Sequence, residues 1–513
     1  MTNSASAFPM VTDPSQEDSV TASIAALFEP GGYTGPPRTG IELEVLPIVD
    51  VDGRPAPPRA PGDAGPSTLP VLRALAGRLG WLEEDGGAGL PRFVLPGGGF
   101  FSYEPGGQIE YASPATAHLP TLRDHLARLV DHLVRGMEAE GIRLLARGVD
   151  PTQPVSGARL HLEGDRYPRQ RAHYDRRGPL GRVMMLQSAA VHLNVDLGSH
   201  PSESWRAANR LSPLLIALFA NSPRRCGAPG ARRSQRAALW RDLDPTRTGV
   251  FDGEGEVDTI ADYHRFALEA ESFLMGSPDE APRPFRVWLE RGADVGDLRR
   301  HLTTLFPEVR PRGYLEIRSL DALPARLAMV AAAVTVALVH GQRARAELLR
   351  HIPPASRERV ERAGHLGVTD PGLRQEVLRL HDVVQDGLAE LGEEVSDKGL
   401  RRAVTTYFED FPARGLDPGT RPESWIDSIP SLDSEAPIQE NIRKIALHLY
   451  RMVHDEIRRH DTNHLILGPY VKEDSFDLET WQALTPYVDV LTPQHFNRSI
   501  SFAEQRAATG RAV

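Results

Sequence analysis

Four short stretches of the chain alternate strictly between apolar and polar residues: Gly40–Pro47 (GIELEVLP), Gln108–Ser113 (QIEYAS), Val191–Leu197 (VHLNVDL) and Tyr314–Ser319 (YLEIRS). Side chains two apart on a strand share a face, so each stretch predicts a β-strand with one apolar and one polar side. Glu42 and Glu44 fall together, opposite Ile41, Leu43 and Val45. Gln108 pairs with Glu110, His192 with Asn194 and Asp196, and Glu316 with Arg318. Between these stretches the apolar residues recur at three- and four-residue steps. That spacing predicts helices over Ser19–Phe28, Leu69–Trp81, Thr116–Glu140, Ser204–Ala220 and Leu323–Leu349, and one or two more over Ser356–Gly392. Residues 53–68, rich in Pro and Gly, and the basic stretch 150–178 read as loops. Strands separated by long helices define an α+β architecture, with the apolar strand faces packed on helices and the polar faces lining a cavity. No internal repeat is present.

The composition narrows the class. Hydrophobic residues make up 40% of the 513 and charged residues 25%, as in globular proteins. The formal charge of -10 argues against non-specific nucleic-acid binding, because phosphate-tracking surfaces are basic overall. Cys226 is the single cysteine, so no intrachain disulfide can form. The N-terminus has neither a basic start nor an apolar core, so it is no secretory signal. The longest apolar run, Leu327–Val339, is too short to span a bilayer. These features predict a cytoplasmic protein that binds no membrane, and no motif for a partner protein is legible.

The polar faces carry the chemistry. Hard divalent cations such as Mg²⁺ take carboxylate oxygens, often together with substrate phosphates. Glu42, Glu44, Glu110 and Glu316 supply four carboxylates if their strands share a sheet, and Glu104 in GGGFFSYEPGGQIE adds a fifth. Crowded carboxylates resist ionisation unless cations intervene. A lone E-x-E is ordinarily a solvated face, so the inference rests on its recurrence on separate strands. The loop Asn221–Gly249 is rich in Arg, Gly and Pro. Arg224, Arg225, Arg232, Arg233 and Arg236 form a patch in which guanidinium forks could hold carboxylate or phosphate, or could simply face water. Cys226 has no base beside it and reads as an ordinary loop residue. No phosphate-loop, HExxH or cysteine-cluster motif occurs, and no G-x-S-x-G elbow.

In order along the chain, GIELEVLP, FFSYEPGGQIEYASPA, MMLQSAAVHLNVDLGS, ALFANSP, RRSQRAALWRDLDPTRTG and HLTTLFPEVRPRGYLEIRSLDALP resemble the motifs of plant- and bacterial-type glutamate–cysteine ligases. The nearest branch is the actinobacterial one that serves ergothioneine synthesis. The resemblance covers residues 36–420, leaving 1–35 as a partly disordered extension. It implies a glutamine-synthetase-like catalytic domain in which a curved antiparallel sheet forms a funnel. It also implies ATP as a substrate, two or more Mg²⁺ ions, and L-glutamate and L-cysteine as the pair that is joined. Carried over by motif, Glu42, Glu44, Glu104, Glu110, His192 and Glu316 are the metal ligands. Arg236 and Arg318 are the catalytic arginines, and Gln108, Asn194, Arg232 and Trp240 contact nucleotide or substrate. One position departs from the family: Gln is usual where this chain has His192.

Residues 421–513 resemble something else. The segment NIRKIALHLYRMVHDEIRRHDTNHLILGPYVKEDSF and the later YVDVLTPQHF are similar to part of a (β/α)₈ glycoside hydrolase. Such a barrel needs about 250 residues, so this α/β fragment cannot close one.

Overall fold

The structure is a computed structural model and describes residues 14–60, 65–251, 259–277, 280–420, 438–461, 463–467 and 478–490. The chain divides into two compact units, residues 1–420 and 421–513.

The larger unit is built on a nine-stranded antiparallel sheet. Its strands are β1 (Thr39–Val49), β2 (Leu82–Asp85), β3 (Pro91–Val94), β4 (Phe100–Tyr103), β5 (Ile109–Ala112), β6 (Ile142–Leu145), β7 (Ala190–Asp196), β8 (Val309–Pro311) and β9 (Tyr314–Asp321). Their order is β8-β9-β7-β1-β5-β4-β3-β2, with β6 pairing the far end of β1. The four alternating stretches of the sequence are therefore four consecutive neighbours, β9-β7-β1-β5. Their register places Glu42 beside His192, Glu44 beside Glu110, and Glu316 beside Asn194.

Ile41, Leu43, Val191, Leu193, Leu315 and Ile317 form the opposite face and lie in the main hydrophobic core. Helices Pro201–Leu218 and Ala325–His340 pack against that face. The second is apolar all round and almost wholly buried, as a central core helix must be. The run expected as one helix over 323–349 is two, meeting at Gly341 with a bend of 87°. A Cβ at Gly341 would lie 2.6 Å from the Ala337 carbonyl and 3.0 Å from the Cα of Gly387, so glycine at the bend lets helix Pro371–Leu391 pack tightly there. Among the described residues no single helix is long and apolar enough to cross a membrane.

Three stretches depart from the sequence reading. Residues 150–178, expected as loop, contain helix Arg166–Asp175. The Arg-rich loop 221–249 contains helix Gln235–Leu243, started by the Ser234 side chain accepting from the Ala237 N–H. The first carries few apolar residues and in the second they are bunched together rather than spaced at helical steps, and it is a tertiary anchor, described below, that holds them. The N-terminal helix begins at Pro14 rather than Ser19, and Val20 and Ile24 are buried.

In the second unit, helix Ile438–His460 is followed by the segment 463–467 and helix Leu478–Leu484, with Leu467 and Val490 bridged in parallel. Trp481, Ile466 and Val488 form its small core. The rest of the hydrolase-like motif, residues 468–477 and 491–513, lies outside the described residues.

Candidate active site

The polar face of the sheet lines a cavity of about 530 Å³, within the usual range for ligand pockets. Glu42, Glu44, Glu104, Gln108, Glu110, His192, Arg236, Trp240, Glu316 and Arg318 all lie on its wall. Of the residues singled out by motif, Asn194 and Arg232 are not on that wall. Asn194 braces Glu42 from the side, its Nδ2 donating to Glu42 Oε1 at 2.9 Å. Arg232 precedes the helix that turns Arg236 and Trp240, four residues apart, toward the cavity, and its charge acts on Asp242 instead.

Charge is graded across the sheet. Toward β5 the wall is acidic. Glu104 and Glu110 sit in hydrogen-bond contact, and Ser102 Oγ donates to Glu110 at 3.2 Å. Burial, reinforced by the neighbouring Glu104 charge, pushes the Glu44 carboxyl up to about 8 and Glu110 well above its ordinary value. Burial raises Glu104 as well. Burial thus favours the protonated form of all three carboxyls, and a bound cation acts in the opposite direction.

Toward β8 the wall is basic. Glu316, fully buried, accepts from Arg310 Nε at 2.9 Å and Arg312 Nη1 at 3.1 Å, and also from Arg318. Burial opposes its ionisation, but the charges of Arg310 and Arg318 overcome that and hold it well below the carboxylate range. Arg318 lies over the rings of Trp240 and Phe306, at 5.4 Å from each centroid, and Arg236 over Trp240 at 5.8 Å.

His192 joins the two ends. Burial, and then the charge of Arg318, draw its pKa down to about 4. The neutral ring donates from Nδ1 to Glu42 Oε2 at 2.9 Å, which leaves the Nε2 lone pair buried and without a partner. Burial raises the Glu42 carboxyl, but the hydrogen bonds from His192 and Asn194 outweigh it. Glu42, His192 and Glu316 each offer one ligand atom within 4.8 Å of the others. The two carboxylates supply the oxygen donors that Mg²⁺ takes, while the imidazole is a more usual ligand of softer divalent ions, so the set fits a divalent cation without selecting Mg²⁺.

Gln108 lines the wall, but its amide is committed to the backbone. Nε2 donates to the Ser188 carbonyl at 2.7 Å and Oε1 accepts from the Gly106 N–H at 2.8 Å.

Several wall residues were not singled out by sequence reasoning: Arg166, Tyr167, Arg299, Arg310 and Arg312. The signal for the last two was present, since R-x-R precedes the G-Y-x-E-x-R hairpin and Arg310 lies directly across from Glu316. Arg166 and Tyr167 had no local signal.

Two buried aspartates assemble the wall. Asp321, at the end of β9, accepts from the Asn221 N–H and from the hydroxyls of Ser222 and Ser234 at 2.7–2.8 Å, and so anchors the start of the Arg236 helix. Asp244 closes that helix. It binds His173 Nε2 and Arg247 Nε, both at 2.7 Å, and Arg247 continues to the Thr304 carbonyl at 2.8 Å. One carboxylate thereby ties together the segments that carry Arg166, Trp240 and Phe306. His173, Asp244 and Glu271 also bring ligand atoms within 4.8 Å of one another, but they do not line the cavity and form a structural joint with Arg247 and Arg177.

A charge-graded cavity on an antiparallel sheet, with three ligand-type side chains between its carboxyl and guanidinium ends, has the form of an enzyme active site. The sequence profile of glutamate-cysteine ligase family 2 (GCS2) matches residues 38–438, and the chain belongs to that family. It is 33% identical over 352 residues to the glutamate–cysteine ligase EgtA of Mycolicibacterium smegmatis, covering 63% of this chain and 80% of that protein. It is 34% identical over 281 residues to EgtA of Mycobacterium tuberculosis, covering 51% and 62%. The chloroplastic glutamate–cysteine ligase of Arabidopsis thaliana is 32% identical over 316 residues, 56% of this chain and 58% of that one. The last two alignments span less than two thirds of those relatives. A solved glutamate–cysteine ligase from Francisella tularensis in complex with AMP aligns over 84% of this chain at 14% identity with a TM-score of 0.39.

Proposed function

We propose that this enzyme joins the γ-carboxylate of L-glutamate to the amine of L-cysteine at the expense of ATP, giving γ-glutamylcysteine, ADP and phosphate. Family membership and the EgtA relatives support the reaction. The observation that carries it in this chain is the grading of one cavity from paired carboxyls to clustered guanidiniums.

A carboxylate is a poor electrophile. Its oxygen first attacks the terminal phosphorus of ATP, the bond to the bridging oxygen breaks, and ADP leaves. The amine then attacks the acyl carbon, the C–O bond to phosphate breaks, and the amine loses a proton. Bound Mg²⁺ would neutralise the phosphates, held by Glu42, His192 and Glu316, with Glu44, Glu104 and Glu110 offering a second set. Arg236 and Arg318 face the same space and offset the charge of the transferring group and the substrate carboxylates. Trp240 and Phe306 fix those guanidiniums and keep water from them. Asn194 holds Glu42 in place. Gln108 shapes the loop that carries Glu104, and Arg232 supports the helix start. The product would enter ergothioneine or another low-molecular-weight thiol, in a cytoplasmic setting.

The test is ADP release with glutamate against a panel of amines, with mass detection of the product. Release that needs both glutamate and cysteine is the expected result. Release with a different amine would redefine the product, and release without any amine would remove the ligase reading.

A further inference from the structure

The family match begins at residue 38, yet the cavity wall begins earlier, at Leu27. The segment Pro14–Phe28 is a helix followed by one 3₁₀ turn, and it is anchored firmly. Val20 and Ile24 are buried. Phe28 packs edge-on to Trp205 at 5.0 Å and to Tyr263, itself a wall residue, at 5.7 Å. The helix lies against helices Thr259–Glu269 and Val295–Leu302, and the second of these carries Arg299.

This segment also holds the hairpin that makes the basic end. The turn between β8 and β9 is Arg312-Gly313, with Gly313 at a φ of 76°. The Gly313 N–H points away from the hairpin and donates to the Leu27 carbonyl at 2.8 Å. Arg310 precedes that turn and Arg312 is its first residue, and both reach Glu316. The Leu27 backbone therefore fixes the tip that presents two guanidiniums, while the Leu27 side chain stands on the wall beside them.

We propose that the N-terminal strap, residues 14–28, is part of the substrate site: Leu27 closes the basic end of the cavity and fixes the Arg310–Arg312 tip, and so sets the affinity for the carboxylate-bearing amino acid bound there. The inference rests on the ligase reading, under which that amino acid is L-glutamate. Its carboxylate and the Glu316 carboxylate face the same guanidiniums, so a small displacement of the tip changes the fit. Nucleotide, placed by this reading toward Glu44, Glu104 and Glu110, would feel the tip only through Glu316 and so less than glutamate does.

The experiment compares the full-length protein with Leu27→Ala and Leu27→Phe, the first opening the wall and the second narrowing it. Steady-state assays give kcat and the KM values for glutamate, cysteine and ATP, and calorimetry measures L-glutamate binding directly. A lost or added side-chain group against a bound substrate changes discrimination by roughly tenfold or more. The expected result is about a tenfold rise in the glutamate KM and Kd in both variants, with a smaller change in the ATP KM and the melting temperature within a few degrees. Unchanged glutamate binding in both folded variants would overturn the strap's role and leave the ligase reading intact. An equal rise in the KM values of ATP and glutamate would show a general structural effect and overturn it too. Wild-type protein that binds no glutamate would remove both.

Discussion

At the residue scale, Glu42 and Glu316 are both placed to hold a cation, but their surroundings make their replacements behave differently. Glu42 is held by two neutral donors, His192 and Asn194. Its replacement by alanine leaves no buried charge unpaired, so Glu42→Ala should stay folded and lose ATP turnover by about a thousandfold or more. Glu316 neutralises Arg310 and Arg318, whose side chains are only 12% and 11% exposed. Glu316→Ala should lose turnover and also about 3–5 kcal/mol of stability, because it strands buried guanidiniums. Urea melts alongside ADP-release assays check both, and wild-type-like turnover in Glu42→Ala would remove the ligand assignment. His301 supplies a pH-dependent contribution away from the site. It is buried, its Nε2–H donates to the Ala267 carbonyl at 3.0 Å, and it stacks on Phe285 at 4.6 Å. Burial draws its pKa down to about 3. Below the ordinary histidine value of about 6.5 the unfolded chain takes up a proton that the folded chain refuses, so stability falls as pH drops from there toward 3. By pH 5 this one group removes about 2 kcal/mol. The fall in urea-melt stability between pH 7.5 and pH 5 should therefore be smaller by that amount in His301→Gln, and an equal fall in both proteins would contradict it.

At the element scale, the wall of the cavity depends on joints between short helices. The Asp244 carboxylate receives His173 and Arg247, and all three side chains are fully buried. Burying an ion pair is of little net benefit, but removing one partner is costly because the other charge stays behind. Asp244→Ala should destabilise the protein by about 3–5 kcal/mol, read from denaturant midpoints. A loss under about 1 kcal/mol would mean that water or another acceptor satisfies Arg247. The same joint explains how two helices with weak periodicity hold together. Helix Arg166–Asp175 has a strongly polar sequence with three buried positions, and it is kept in place through His173.

At the scale of the whole molecule, the two compact units have separate cores, and every residue of the cavity wall belongs to residues 1–420. A chain ending at residue 424 should therefore keep ADP release dependent on glutamate and amine, within about twofold of the full protein, since a compact unit with its own core can fold and act alone. Loss of activity in a truncated protein that still melts cooperatively would tie the C-terminal unit to catalysis. The short described core of that unit, Ile466, Trp481 and Val488, gives it one parallel bridge and no barrel among the described residues.

The alternation of four short stretches was enough to define which side chains share a face. Period-two patterning is a property of a single strand and needs no partner. The polar sets Glu42/Glu44, Glu110, His192/Asn194 and Glu316/Arg318 were readable for that reason, as were the long apolar helices. That these strands are neighbours was not readable from patterning, because pairing joins residues tens to more than a hundred positions apart. The resemblance to known ligases supplied that expectation, and the register observed here realises it. Tertiary structure alone decided the rest. Arg310 and Arg312 turned inward because their hairpin folds back on Glu316. Helix Arg166–Asp175 formed because a buried aspartate holds it. Leu27 reached the wall because Phe28 is locked between Trp205 and Tyr263. For the helix and for Leu27 the deciding contact comes from a distant part of the chain, and no local sequence period records it.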